Sequence, residues 1–323
     1  MYIMGLLPAE SAVVFSLSCM HLKCLLGTKH FIELASSPEH TLALLELLAL
    51  DLPNQVVCSA CKRLHDMKNI RRYNSATAHQ YSSFRFPKCV SRDRDNETFA
   101  VTSLFGATAF KMAIKRYHQQ SDCTEILKVM SSKAAKTTER EEYLRQSREE
   151  CRVIQGSLIQ RKQSVYISRI SSTATSMNYD TPSAMICGHI RFTPSQHNAS
   201  SAIKRCHKCR TEYRVDFKYY DGHGLAIFIT TWKDLGTGPD TEVWKQHLPS
   251  YFLSRLRARI LGQLQADVEV WSKDGGPAFA FGNSNHDYRF DELLTVSNKP
   301  ELFRFQKRSL AKAKHRHYTM TTL

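Results

Sequence analysis

"RCHKCRTEYRVDF", residues 205–217, joins a pair of closely spaced cysteines to the start of a β-strand. Cys206 and Cys209 are separated by two residues, a spacing at which one tight turn presents both sulfurs to a single tetrahedral Zn²⁺. From Tyr213 onward, aromatic and β-branched residues alternate with polar ones, which is typical of a half-buried strand. "DGHG" follows as a turn and "LAIFITTW" as a more buried strand, so the sequence predicts a central antiparallel hairpin.

A second C-x-x-C pair, Cys58 and Cys61 in "CSAC", lies far upstream in a segment of Cys, His, basic and aromatic residues. Two such pairs, each beside a strand, are the usual content of a four-cysteine zinc ribbon. The first arrangement that we expect is therefore one structural Zn²⁺ held by Cys58, Cys61, Cys206 and Cys209. A redox role is disfavoured, because a thioredoxin-like pair opens a helix and Cys209 leads into a strand instead.

Other candidate ligands stand close to each pair and leave the grouping open. Cys187 and His189, in "ICGHIRF", precede the second pair, and His65 and Cys89 follow the first. Three arrangements therefore compete: one site that joins both pairs, two separate local sites, or no metal. The third arrangement is included because free cysteines are among the most commonly buried side chains.

The sequence lacks the motifs of common catalytic sites. A catalytic zinc keeps an open coordination position, often beside a helical H-E-x-x-H motif, and no such motif is present. "GTG" at residues 236–238 lacks the G-x-x-x-x-G-K-[ST] context of a phosphate-binding loop. We therefore expect that the protein is not an enzyme.

The 323-residue chain is strongly basic, with 45 Lys and Arg against 30 Asp and Glu and a net charge of +15. This excess permits contact with nucleic acid, acidic proteins or anionic membranes, but it is dispersed along the chain. The N-terminus lacks the basic and apolar regions of a signal peptide, and no apolar run approaches the roughly 20 residues of a membrane span. We expect an intracellular protein, cytoplasmic or nuclear, without membrane contact, whose cysteines stay reduced or bind metal.

The periodicity of apolar residues predicts two N-terminal helices, one over residues 9–26 and one that begins at Pro38 and stops before Pro53. Ser37 is a good N-cap for the second helix, and Pro38 fits its first position. Further along, the sequence predicts a helix within 97–118, a polar helix or linker over 131–150, a strand pair within 151–170 that turns near Gly156, and helices from about 241 and over 249–265.

The predicted fold is α+β: an N-terminal helical pair packs on a zinc-stabilised domain with a central antiparallel β-hairpin and flanking helices. We expect the helical segment at residues 1–52 and the α+β domain with both C-x-x-C pairs at 53–270. A Gly-rich and basic tail, expected to be disordered, occupies residues 271–323. Trp232 and Trp244 are expected to form a packing cluster that docks the last helix on the hairpin.

Several strings, in order along the chain, resemble a large and mostly uncharacterised group of filamentous-fungal F-box-like proteins. These strings are "LLPAESAVVFSLSCMHLKCLLGTKHF", "LLALDLPNQVVCSACKRLH", "ICGHI", "CHKCRTEYRVDF" and "ITTWKDLGTG". In that family a helical segment precedes a "DLP…C-x-x-C…LH" block, and a C-x-H block, a C-x-x-C strand and a W-x-D-L-G turn follow. The resemblance covers roughly residues 5–245, and the order of the blocks is more specific than any one of them.

The resemblance implies the role of an F-box, a short helical module whose apolar face docks on the Skp-type adaptor of a cullin ubiquitin ligase. The rest of the chain would then bind a substrate protein. Leu7, Pro8, Leu17 and Leu22 match the F-box pattern and are implied as adaptor-binding residues. The helix before "LPAES" in an F-box has no counterpart, so a truncated or degenerate F-box is expected. The alternative function is a zinc-ribbon-like nucleic-acid-binding protein, in keeping with the basic charge.

Overall fold

The structure is a computed structural model that describes residues 7–73, 87–90, 106–139, 143–168, 184–193, 200–220 and 224–248. Both helices and antiparallel sheets occur, which confirms the prediction of an α+β fold. No helix in these ranges has the length and the apolar character needed to cross a membrane.

The chain divides into two compact units. Described residues up to 129 belong to the first unit, and those from 130 onward belong to the second. The sequence predicts domain boundaries after residues 52 and 270, whereas the division between the two compact units lies after residue 129. The helix predicted over 249–265 and the predicted tail lie outside the described residues. The first unit thus combines the N-terminal helices with the first C-x-x-C pair.

Short helices and one two-stranded antiparallel hairpin form the first unit. Its elements are α1 (Ala9–Leu17), α2 (Met20–Leu26), α3 (Lys29–Ser36), α4 (Pro38–Asp51), β1 (Gln55–Cys58), β2 (Arg63–Asp66), a 3₁₀ helix (Met67–Tyr73), α5 (Ala107–His118) and α6 (Thr124–Val129). Because α4 contacts both α1 and β1, the N-terminal helices connect directly to the hairpin.

The single N-terminal helix predicted from the sequence is in fact two helices, α1 and α2. Ser18 ends α1, and its hydroxyl donates to the backbone carbonyl of Phe15 at 2.7 Å. The next residue, Cys19, adopts an extended conformation, and this separates the two helices. Leu17 and Met20, on either side of this break, are exposed.

The start of α4 is as the sequence predicts. Ser37 is the N-cap, and its hydroxyl accepts a hydrogen bond from the backbone N–H of His40 at 3.4 Å. Pro38 occupies the first turn, where its missing N–H costs nothing, and Glu39 lies at the positive end of the helix dipole. These features fix where the helix begins.

The C-terminal end of α4 is held by Lys115, in the last turn of α5. Its Nζ donates to the backbone carbonyls of Leu52 and Gln55 at 2.8 Å each, and also to that of Ala49. The last carbonyls of a helix have no partners within the helix, so an ammonium group there satisfies them and complements the helix dipole. One side chain of α5 therefore joins the end of α4 to the start of β1.

A six-stranded antiparallel sheet in the order β3-β4-β5-β10-β9-β8 forms the base of the second unit, and β6 and β7 form a separate hairpin. The elements are β3 (Ser132–Glu139), β4 (Tyr143–Ile154), β5 (Ser157–Ser168), β6 (Ala184–Cys187), β7 (Ile190–Phe192), β8 (Ser200–Arg205), β9 (Thr211–Tyr220), β10 (Gly224–Asp234) and a short helix, α7 (Glu242–Lys245).

Both predicted strand pairs are present. β4 and β5 form a hairpin that turns at Gln155 and Gly156, whose positive φ angles of 51° and 81° suit a tight two-residue turn. β9 and β10 form the central hairpin, with ten residue pairs in register. The apolar residues that predicted this hairpin, Tyr213 and Val215 among them, lie on the face that packs against β6 and β7, and Glu212 and Arg214 on the opposite face are buried as well.

The polar helix or linker predicted over residues 131–150 is wrong, because β3 and most of β4 occupy that stretch. In β4, burial alternates along the strand as expected for a sheet, with Leu144 and Gln146 both buried. Because one of the inward residues is a glutamine, the alternation of burial does not appear as an alternation of hydrophobicity.

The β6–β7 hairpin packs on one face of the large sheet. The shared core comprises Tyr166, Ala184, Ile186, Phe192, Tyr213, Val215, Ile227 and Ile229. Burial of each large apolar side chain stabilises the unit by roughly 1.5–3 kcal/mol, so this cluster fixes the hairpin against the sheet. Trp232 and Trp244 are also buried, Trp232 against Ile159.

Replacing Lys115 with Met should destabilise the first unit by about 2 kcal/mol, because three carbonyls lose a charged donor. Denaturant unfolding followed by far-UV circular dichroism measures this change, since six of the seven described α-helices lie in that unit. Lys128→Met is the matched control, because Lys128 pairs with Glu125 on the surface and its loss should change stability by less than about 0.5 kcal/mol. Equal unfolding midpoints for the two variants would contradict the role of Lys115.

Candidate metal centres

Four potential ligands meet beside the β1–β2 hairpin. Cys58 ends β1, Cys61 lies in the turn, His65 lies in β2, and Cys89 lies on a helical turn at residues 88–90. Their sulfur and ring nitrogen atoms all lie within 4.8 Å of one another. We call this group the first centre. Three of the four side chains are buried, and Cys61 is half-buried.

Neighbouring groups orient the ligands of the first centre. The backbone N–H of Cys61 donates to Cys58 Sγ at 3.4 Å, the support expected for a thiolate in a C-x-x-C turn. His65 Nε2 lies 3.6 Å from Cys89 Sγ, and the ring of Tyr73 packs 4.5 Å from the His65 ring. The hydroxyl of Thr108, in the first turn of α5, hydrogen-bonds to Cys89.

A second group of four lies where the β6–β7 hairpin meets the large sheet. Cys187 ends β6, His189 follows in the turn, Cys206 comes directly after β8, and Cys209 shortly precedes β9. Their ligand atoms also lie within 4.8 Å of one another. We call this group the second centre. Its three cysteines are almost fully buried, and its histidine is half-buried.

The second centre has supporting contacts of the same kind as the first. The backbone N–H of Lys208 donates to Cys206 Sγ at 3.4 Å. The Thr211 hydroxyl lies 3.2 Å from Cys209 Sγ, so each centre has a threonine hydroxyl on one sulfur. His189 Nδ1 lies 3.7 Å from Cys206 Sγ. Hydrogen bonds to thiolates and ligands fixed by their neighbours are features of built metal sites.

The ligand groups shift one another's pKa strongly. Hydrogen bonding between Cys58 and Cys89 lowers the pKa of the Cys58 thiol well below its usual range and raises that of Cys89. In the second centre, hydrogen bonds with Cys187 and Cys209 lower the pKa of Cys206, whereas hydrogen bonds with Cys187 and Cys206 raise the pKa of Cys209. Opposite shifts within one group mean that negative charge concentrates on a few close sulfurs, which a bound cation stabilises.

His189 belongs to the same electrostatic group. Burial opposes its protonation, but its contacts with the sulfurs of Cys187 and Cys206 outweigh burial and raise its pKa to about 9. The ring nitrogen thus faces negative charge at close range. A divalent cation at this point would meet three sulfurs and one imidazole.

The atoms are grouped as in the alternative with two local sites, rather than in the arrangement that joins the two pairs. Cys58 and Cys61 meet His65 and Cys89, whereas Cys206 and Cys209 meet Cys187 and His189. Each centre draws all its ligands from one unit of the chain. The groups are therefore positioned to bind one metal ion in each unit.

Sequence reasoning missed the residues that support the ligands. Thr108 and Thr211 were not candidates, although Thr211 follows Cys209 by two residues and so shares its neighbourhood. Lys233 was not a candidate either, and its place directly after the apolar run that ends at Trp232 is the sequence signal for it. Of the implied adaptor-binding residues, Leu7, Pro8 and Leu17 are exposed, and Leu22 is half-buried.

Elemental analysis of the purified protein should find two metal ions per chain, because each centre has a full set of four ligands. Cys58→Ser should remove one ion and Cys206→Ser the other. Cys24→Ser is the control, since Cys24 is exposed and belongs to neither centre, and it should keep both ions. One ion per chain that disappears in either variant would instead show a single site joining the two pairs.

Comparisons with known proteins do not identify the chain: no protein-family model matches it, and no match was found among the curated proteins or the solved structures.

Proposed function

We propose that both centres hold structural Zn²⁺. The observation that carries this proposal is the ligand set, three sulfurs and one histidine nitrogen within 4.8 Å in each centre. Soft thiolates with one imidazole in a four-ligand group favour Zn²⁺ over the hard cations that prefer oxygen. Four protein ligands leave no open position for a substrate or a reactive water, so this zinc has a structural and not a catalytic role.

Removal of zinc should unfold both units, because the free energy of binding structural zinc is on the order of 10 kcal/mol and is coupled to folding. A strong chelator should therefore abolish cooperative unfolding, as measured by circular dichroism and tryptophan fluorescence. Adding back Zn²⁺ should restore it, whereas Mg²⁺ should not. Unchanged unfolding in metal-free protein would contradict a structural role.

We further propose that the protein is non-enzymatic and works by binding other proteins through its N-terminal helices. These helices leave large apolar side chains uncovered, among them Met20 at 73 %, Ile32 at 67 % and Leu50 at 78 % exposure. Of the six leucines in α4, only Leu44 is buried, and α3 has no buried residue. Several exposed apolar side chains on adjoining helices are typical of a docking surface.

The partner that we propose for this surface is a Skp-type adaptor, as the F-box-like resemblance implies. In that role the N-terminal helices would dock the adaptor, and other parts of the chain would recruit a substrate protein to a cullin ubiquitin ligase. Exposed Leu7, Pro8 and Leu17 support this proposal, because an F-box uses apolar residues of this segment for docking.

A pull-down with a purified Skp-type adaptor should retain the wild-type protein. The double change Leu17→Asp and Met20→Asp should weaken binding at least tenfold, since hot-spot apolar contacts dominate such interfaces. Ile203→Asp is the control, because Ile203 is also an exposed apolar residue but belongs to the second unit, so its change should leave binding unchanged. Wild-type protein that fails to bind the adaptor would overturn this assignment.

Nucleic-acid binding is the second candidate, and one feature favours it. Residues 181–211 contain five Lys or Arg and no Asp or Glu, and Arg191, His207 and Lys208 of this segment are exposed near the second centre. Retention on DNA or RNA that falls steeply with salt, together with no adaptor recovery, would favour this function, because phosphate contacts release counterions.

A further inference from the structure

Lys233 is a buried cation on β10, and it lies close to the second centre. Its side chain is only 5 % exposed, and the residue pairs directly with Thr211 of β9. Residues directly opposite each other in an antiparallel pair project from the same face of the sheet. Because the Thr211 hydroxyl is 3.2 Å from Cys209 Sγ, Lys233 occupies the face that adjoins the second centre.

The carboxylates near Lys233 pair with other cations. Glu149 forms an ion pair with Lys162 at 3.2 Å. Asp234 is the next residue of β10, so it projects from the opposite face of the sheet, and it pairs with Arg210 at 2.9 Å. Lys233 itself forms no ion pair with a carboxylate in the part of the chain that the structure describes.

Two other buried titratable groups in this part of the second unit are Cys151 and His247. Burial raises the pKa of the Cys151 thiol and lowers that of His247 to about 4, so both are uncharged at neutral pH. Burial and then Lys162 lower the pKa of Lys233 to about 8, whereas the Cys187 and Cys209 sulfurs oppose that change. The sulfurs of Cys187 and Cys209 therefore act on this buried ammonium more strongly than the nearest carboxylate, Glu149, which pairs with Lys162.

The charges of the second centre require such a cation. Three thiolates, one neutral imidazole and one Zn²⁺ carry a net charge of −1. Because the three cysteines are almost fully buried, water contributes little to stabilising that charge. We propose that Lys233 is the counter-cation of the second centre, a positioning residue whose charge allows a buried site to hold three thiolates around Zn²⁺. This inference rests on the proposed binding of zinc.

The first centre offers an internal comparison. No Lys or Arg is buried among the described residues of the first unit. Its Cys61 is half-buried, so solvent can share the negative charge there. A change at Lys233 should therefore affect one centre and leave the other as it was.

The test is zinc competition against a chromophoric chelator, with the full-length protein carrying both ions. Lys233→Met removes the charge but keeps a long apolar side chain, and it should lower the zinc affinity of the second centre by about tenfold or more. The first centre should keep its affinity for zinc. Each phase of zinc release to the chelator is assigned to a centre with Cys58→Ser, which disrupts the first centre, and Cys206→Ser, which disrupts the second. Lys245→Met is the control, because Lys245 pairs with Glu242 on the surface.

A charge effect can be separated from a packing effect in two ways. Lys233→Arg should restore the affinity of the second centre, because it restores the charge. In cobalt-substituted protein, Lys233→Met should move the thiolate-to-cobalt absorption of the second centre to longer wavelength, since loss of a nearby cation raises the energy of the sulfur electrons. Tryptophan fluorescence from buried Trp232 and Trp244 monitors whether the unit is folded.

The outcomes distinguish a failure of the proposed zinc binding from a failure of the proposed role of Lys233. Wild-type protein without zinc at the second centre would overturn the proposed zinc binding, and this inference with it. Wild-type affinity in folded Lys233→Met protein would overturn only the role of Lys233. An equal loss of affinity in Lys233→Arg and Lys233→Met would do the same, because charge would then not be the cause.

Discussion

Three sulfurs and one histidine nitrogen held within 4.8 Å of one another form the constraint on which each unit depends. Close thiolates repel one another and lose hydration when buried, so such a group is stable only with a cation among its atoms or with shared protons. The segments that meet at the centres are short hairpins and turns, and an isolated two-stranded hairpin is marginal in water. Each centre therefore joins short hairpins and turns that would be only marginally stable on their own.

Helix α5 connects the first centre to the N-terminal helices. Thr108 contacts a ligand of the centre, and Lys115 holds the end of α4. The two residues are seven positions apart, which places them on the same face of the helix and about 10 Å apart along its axis. The geometry of the metal ligands and the orientation of the proposed docking helices thus depend on one rigid element. In the second unit, the β6–β7 hairpin has the role that α5 has in the first. Its apolar side chains pack on the large sheet, and its ligands, Cys187 and His189, meet Cys206 and Cys209 beside that sheet.

Much of this architecture could be predicted from local sequence, because local chemistry determines it. The cap at Ser37, the hairpin after Cys209 and all eight ligands of the two centres were recognisable from residue type and spacing. The sequence did not show which ligands share a centre, because spacing along the chain does not specify which distant segments are neighbours in the fold. The prediction for β4 is wrong because polar Gln146 occupies an inward position, and the break after α1 lies at the extended backbone of Cys19, which residue type does not indicate.

The ligands of the first centre span residues 58–89, and those of the second span 187–209. Closing a loop costs conformational entropy that grows with the logarithm of its length, so a site joining the two pairs would cost roughly 1.5 kcal/mol more than either local closure. Synthesis proceeds from the N-terminus, and domains fold as units while the chain emerges. All four ligands of the first unit are made before any ligand of the second. Under the proposed zinc binding, local closure lets each unit take up its ion in turn, so that sulfurs of one unit are occupied before those of the other can compete with them.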